Sequence, residues 1–230
     1  MPLADYTVRR SDRARRIRVS VDPQGGVQVT LPRRAALRDA AAAVAQLRPW
    51  IERQLADVAA AQALVAARGD AIPFLGGELR LVEQAERTRV HRRGDVLLTP
   101  HDGGAAVERW LRQAAHEAIA PRAHAAAGAL GAEVRRISVR DQRTRWGSCS
   151  STGALSFSWR LVMAPVEVLD YVVWHEACHL RVMDHSPRFW ALVADHCPGY
   201  DESRRWLRRN GLALRALPPP PAAGLSQLGG

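Results

Sequence analysis

Four polar residues in an otherwise apolar segment constrain this chain more than any other feature. His175, Glu176, His179 and His185 fall within Trp174–Trp190, WHEACHLRVMDHSPRFW. A buried carboxylate beside imidazoles costs free energy unless it is partnered. Either these groups are ordinary polar residues, or they surround something charged.

His175 and His179 are four apart. On an α-helix, residues so spaced lie on one face, one turn apart. Val168 and Val172 precede them along the same stripe, so the pair faces inward. Glu176 is offset by about 100° from His175. The pattern is H-E-x-x-H, and its residue types suit a zinc ion held by two imidazoles. Zinc lowers the pKa of a water towards about 7, and a carboxylate beside it takes the proton. The alternative is a helix with two buried histidines and no metal.

A catalytic zinc site takes three protein ligands and one open position. His185 is the first candidate for the third. On an uninterrupted helix it would sit about 240° around from His179 and roughly 9 Å further along. The helix must therefore stop between Arg181 and Asp184, and Ser186-Pro187 supports that because proline disfavours a helical residue before it. Asp184, Asp195 and Glu202 are the other candidates. The spacing from first to third histidine equals that of H-E-x-x-H-x-x-G-x-x-H, but Val182 stands where that pattern has glycine.

Around this segment the pattern is mixed. Residues 15–21 and 27–31 alternate in character and flank DPQGG, which predicts a β-hairpin. Residues 35–67 are alanine-rich and helical in propensity, with a new helix start at Pro49. Residues 69–100 read as short strands between glycine turns. Ala105 to about Leu130 is helical, with Val107, Trp110, Leu111, Ala114 and Ala118 spaced for one buried face and a bend expected at Pro121. Residues 133–141 and 154–162 read as strands joined by a loop. A helix begins near Pro165, and another after Ser186, with that serine as cap. The fold class is thus α+β, divided into a β-rich extension with an alanine-rich helix (1–104), the histidine-bearing domain (105–215) and a disordered Pro/Gly-rich tail (216–230).

Composition narrows the setting. The formal charge is +10, and every basic residue is arginine. Arg9, Arg10, Arg13, Arg15, Arg16 and Arg18 crowd the N-terminal segment, which reads as a solvated basic face or a surface for nucleic acid. No apolar run approaches a membrane span and no leader pattern opens the chain. Cys149, Cys178 and Cys197 are odd in number and show no C-x-x-C pairing. That fits a reducing compartment, so a cytoplasmic protein is expected.

RWGSCSSTGALSFSWRLVMAP (145–165), LDYVVWHEACHL (169–180), DHSPRFW (184–190) and PGYDESRRWL (198–207) resemble the YgjP-like predicted metal-dependent hydrolases, relatives of the SprT-like and WLM zinc metallopeptidases. The resemblance covers most of the chain except the tail. It implies a zincin-like metallopeptidase domain with an N-terminal β-hairpin-rich extension. It further implies zinc held by His175, His179 and His185, with Glu176 as general base and peptide bonds as substrate. It places Ala154–Trp159 as an edge strand able to pair with an extended peptide, with a plain core strand as the alternative. Trp146-Gly147-Ser148 reads as a tight turn packing on the metal helix, Cys178 as core, and Phe189 and Trp190 as helix anchors. Tyr200 reads as packing, or as an oxyanion donor. Two other functions stay open: hydrolysis of nucleotide phosphoanhydrides with arginines on the phosphates, and a nucleic-acid-associated protein whose zinc is structural.

Overall fold

Val27, Val29 and Leu31 are buried while Gln28 and Thr30 between them are not, the two-residue period of a half-buried strand. In the computed structural model, which describes residues 5–22, 26–101, 103–142 and 144–216, this segment is β3 (Val27–Pro32). It pairs antiparallel with β2 (Arg18–Val21) as the predicted hairpin. The sheet has a third strand that the sequence reading took for a charge run. Strand β1 (Tyr6–Ser11) lies parallel to β3 on its other side. The Arg10 guanidinium fixes the end of that strand by donating to the carbonyls of Arg33 at 2.7 Å and Ala35 at 2.8 Å. Helices α1 (Leu37–Gln46) and α2 (Arg48–Ala66) follow, with Pro49 in the first turn of α2 as expected. The apolar face of the sheet packs with Ala40, Val44 and Ile51 into one core. These elements form one compact unit, residues 1–67.

The second unit spans residues 68–230. Its contacts gather the strands of residues 71–99, although the sequence reading placed the division at 104/105. The physical reason is local. Strands β4 (Ala71–Phe74) and β5 (Gly77–Glu83) are joined at Leu75-Gly76, where both residues have positive φ, 48° and 86°. That is the twist a two-residue hairpin favours. The Leu75 N–H donates to the Val162 carbonyl at 2.8 Å, and Phe74 lies 5.4 Å from the Trp110 ring. The sheet is completed by β6 (His91–Arg93) and β7 (Val96–Thr99) in the order β4-β5-β7-β6.

Helix α3 (Gly104–Ala129) runs through Pro121 without interruption. Its buried face is Val107, Leu111, Ala115, Ile119 and Ala123. Spacing by four keeps one stripe inward; Trp110, Ala114 and Ala118, expected to be buried, are only half-covered. The next sheet has the order β8-β10-β9. Strands β8 (Arg136–Arg140) and β10 (Ala154–Ser158) are parallel, and β9 (Gly147–Cys149) is antiparallel to β10. The predicted strand over 154–162 ends early. Residues Trp159–Met163 form a 3₁₀ helix, with Trp159, Leu161, Val162 and Met163 all buried. A strand with one solvated face could not bury consecutive residues in this way.

Helices α4 (Val166–Cys178), α5 (Pro187–His196) and α6 (Tyr200–Ala216) complete the unit. Among the described residues no helix is long and apolar enough to cross a membrane. The tail lies outside the described residues except for Ala216, where α6 ends. Among the described residues the architecture is α+β, with six α-helices and three mixed sheets.

Candidate metal centre

Helix α4 buries Val168, Leu169, Val172, Val173, Ala177 and Cys178, so it lies inside the unit. Its last turn carries His175 and Glu176, and His179 caps its C-terminus. The helix ends earlier than the sequence reading placed it. Leu180 N–H donates to the Ala177 carbonyl at 2.9 Å, and Arg181 and Val182 N–H both donate to the Cys178 carbonyl at 3.0 Å. These bonds build a reversal without the glycine. The Asp184 carboxylate then accepts the Ser186 N–H at 2.9 Å, and Ser186 starts α5 without a side-chain cap bond of its own.

The reversal brings His185 back to the helix. One ring nitrogen from each of His175, His179 and His185 lies within 4.8 Å of the others. The Nε2 atoms of His175 and His185 face each other at 3.1 Å. Two donors sharing one tetrahedral ion at the usual Zn–N length would be about 3.3 Å apart, so the spacing suits a common cation. His179 Nδ1 sits 3.0 Å from the Val182 carbonyl oxygen. The carbonyl can only accept, so Nδ1 carries the proton and Nε2 keeps its lone pair free. Burial, and then the neighbouring histidines, push the His175 pKa down to about 3 and lower that of His179. Both rings are held neutral, the form that ligates a metal. The donor set therefore fits a divalent ion.

Aromatic packing fixes the rings. Phe189, fully buried, stacks on His179 at 4.3 Å and meets His175 and His185 edge-on at 4.9 Å. Trp190 lies 5.7 Å from His175 and 5.8 Å from His185. Tyr200 stacks on Trp190 at 5.5 Å and lies 6.5 Å from Tyr171. Phe189 and Trp190 are thus more than anchors for α5, because they form the wall against which the histidines rest. His175 Nδ1 is buried without a hydrogen-bond partner among the described residues, so packing alone orients that ring.

Glu176 is 6 % exposed. Burial raises its pKa to about 8, against the opposing pull of Arg145 and a hydrogen bond from the Cys149 backbone N–H. Its carboxyl group rests on β9. A Cβ built on Gly147 would lie 2.5 Å from Glu176 Cγ and 2.6 Å from Oε1. Gly147 is therefore required by close approach. A Gly147→Ala protein is expected to displace the carboxylate and lower kcat by on the order of 10²-fold. Its zinc content, read by atomic absorption, should equal that of wild type.

The Trp146–Ser148 stretch is thus not a tight turn, because Gly147–Cys149 is a strand that borders the metal helix. Strand β10 is hydrogen-bonded on both sides and offers no edge to a peptide; β9 is the edge strand beside Glu176. Three residues, Gly-Ser-Cys, carry no alternation that could have marked a strand. Asp184, Asp195 and Glu202 stand elsewhere. Asp184 holds Ser186, Asp195 lines a depression with Arg181 and Arg188, and Glu202 lines a groove with Trp174 and Trp206. Cys149 has its thiol pushed up to about 11 by burial and by Glu176, which disfavours the nucleophilic thiolate. Cys178 is fully buried core, and all three cysteines are free.

A mixed α+β unit with two histidines at the end of a helix and a third returned by the following reversal fits a zincin-like metallopeptidase fold. The family model of the YgjP-like metallopeptidase domain matches residues 15–210, and the chain belongs to the YgjP-like family. Neither a curated protein nor a solved structure matches the chain. The family points to a metal-dependent hydrolase.

Proposed function

We propose that the chain is a zinc metallopeptidase in which His175, His179 and His185 hold the ion and Glu176 is the general base. The observation that supports this most is the convergence of three imidazole nitrogens within 4.8 Å beside a buried carboxyl group. When bound, the ion supplies Lewis acidity, polarising a carbonyl and acidifying water.

The chain's own residues supply the rest. The Cys149 N–H and the close approach of Gly147 hold the Glu176 carboxylate in one orientation. A carboxyl group with a pKa near neutrality can both take a proton and return it to the leaving amine. Strand β9 positions the substrate. Trp146 and Ser150 use their backbone groups on β10, through Ser158 N–H to Trp146 O and Ser150 N–H to Ala154 O. By alternation, Gly147 and Cys149 point theirs the other way, where Glu176 already accepts the Cys149 N–H. An extended peptide pairing with that edge passes beside Glu176.

The test is hydrolysis of casein-derived peptides by zinc-loaded protein, with nucleoside triphosphates assayed in parallel. Peptide cleavage should vanish on chelation and return when zinc is restored. Chelation should also lower Tm, since an ion that binds only the folded chain stabilises it. Triphosphate cleavage without peptide cleavage would overturn the reading in favour of a phosphoanhydride hydrolase. Association with nucleic acid through the arginines of residues 9–18, in the cytoplasm, is a separate proposal. A steep fall in RNA affinity with added salt would support it.

A further inference from the structure

Two arginines beside the histidine cluster make no hydrogen-bonded ion pair among the described residues. Arg204, half-buried on α6, places its guanidinium 5.0 Å from the centre of the Trp190 ring. The same ring lies 5.7 Å from His175 and 5.8 Å from His185. Arg145 precedes β9 and acts electrostatically on Glu176. Among the described residues, neither arginine makes an ion pair or a hydrogen bond to an acid.

That arrangement is costly for a protein that gains nothing from it. Three neutral imidazoles would leave a divalent ion its full charge, which Glu176 and the nearby Asp184 and Asp201 offset only in part from outside the donor set. Two guanidinium groups add further positive charge beside it, and like charges repel. Arg204 is more than a packing group on Trp190. Stacking on an aromatic face leaves the guanidinium N–H donors of an arginine free at its rim, in a fork that matches a carboxylate. Taken together, Trp190 and Tyr200 give an apolar wall and Arg204 gives it a cationic end.

We propose that Arg204 is a specificity-determining residue that binds a carboxylate of the substrate, so that the enzyme selects peptides acidic near the scissile bond. The proposal rests on the metallopeptidase reading and names its substrate class. The distances through Trp190 put the guanidinium within roughly three residues of extended chain from the histidines. The carboxylate is therefore an aspartate or glutamate side chain in that window, or the peptide's own C-terminus. Arg145, exposed just before β9, adds to the attraction without a defined contact.

The experiment uses alanine-based hexapeptides carrying one Glu, Gln or Lys, each as free acid and as amide. In Arg204→Gln the kcat/KM ratio of Glu over Gln peptides for a side-chain carboxylate, or of free acids over amides for the terminus, is expected to fall at least about tenfold, the loss of one charge-assisted contact. Arg204→Lys should restore part of it. Preference among amidated peptides marks a side-chain carboxylate, and preference confined to free acids marks the terminus. If neither the Glu-over-Gln ratio nor the free-acid-over-amide ratio falls about tenfold in Arg204→Gln, or if all peptides lose equally with a lowered Tm, the proposal is overturned and Arg204 is reduced to packing. A second arm reads binding alone. Fluorescein-labelled Glu peptide is titrated into Glu176→Gln protein with and without Arg204→Gln, and a loss of affinity of at least about tenfold is expected. If no peptide is hydrolysed by wild type, the metallopeptidase reading fails while this arm still decides the role of Arg204.

Discussion

A Glu176→Gln protein is expected to bind zinc as wild type does and to hydrolyse peptides on the order of 10²–10⁴-fold more slowly, the usual worth of a positioned general acid–base group. The reasoning is geometric. Glu176 is on the same turn as His175 but is not one of the three clustered donors, so its loss leaves the ion's ligands intact. Glutamine has nearly the same shape, fills the same space against Gly147, and can still accept the Cys149 N–H. It cannot take up a proton. The fold should not suffer either, because a carboxyl group buried to 6 % exposure carries a desolvation cost that a neutral amide does not. Tm is therefore expected to stay level or rise, which is the trade between stability and activity common at functional sites. Three measurements on one sample check this: metal content, Tm and kcat. A variant that keeps wild-type kcat would remove Glu176 from the mechanism. A variant that loses zinc would make it a ligand rather than a base.

The histidine triad was legible in the sequence because helical period fixes it. Two imidazoles four apart must share a face, and a third beyond the last turn must be returned by a reversal. Where the reversal falls was less legible. It depends on the Leu180, Arg181 and Val182 N–H groups finding carbonyls of the last helical turn, and no side chain in the segment encodes that choice. Strand β9 was missed for a different reason. Its three residues are half-buried and small, and the pairing partner that makes them a strand is β10, read correctly but extended too far. Ser-Trp-Arg-Leu-Val alternates on paper, yet burial of Trp159, Leu161, Val162 and Met163 together needs a turn of helix. Strand β1 was hidden by its arginines, whose charges drew the reading towards a solvated face, while Arg10 in fact ties β1 to the carbonyls after β3. Arg145 and Arg204 were hidden by abundance. In a chain whose basic residues are all arginine, no single one stands out until its position beside Glu176 or on Trp190 is known.

Replacing His185 should have the other large effect, and for a reason specific to how that residue arrives. His175 and His179 are carried by α4 and would remain in place in any variant of the loop. His185 is exposed and comes from the reversal, its ring 4.7 Å from that of His179 and 5.1 Å from that of His175. His185→Ala leaves two imidazoles, fewer than the three protein donors a catalytic zinc site uses. Zinc is expected to be lost on dialysis, and hydrolysis with it. The metal-free fold should hardly change, within about 0.5 kcal/mol, because truncating an exposed side chain removes little packing. Phe189, which is fully buried beneath the loop, stays in place. Met183→Ala supplies the control. It alters the same reversal at a side chain 55 % exposed that does not belong to the cluster, and it should keep both zinc and activity. If His185→Ala retained one zinc per chain and full turnover, the third donor would have to come from elsewhere. Asp184 is its nearest neighbour in sequence, but it could ligate only by giving up Ser186, whose N–H it accepts at 2.9 Å. That exchange would loosen the start of α5 and, with it, the Phe189 and Trp190 wall. A donor switch of this kind would therefore show as a fall in Tm, so retained zinc with an unchanged Tm would count against the triad itself.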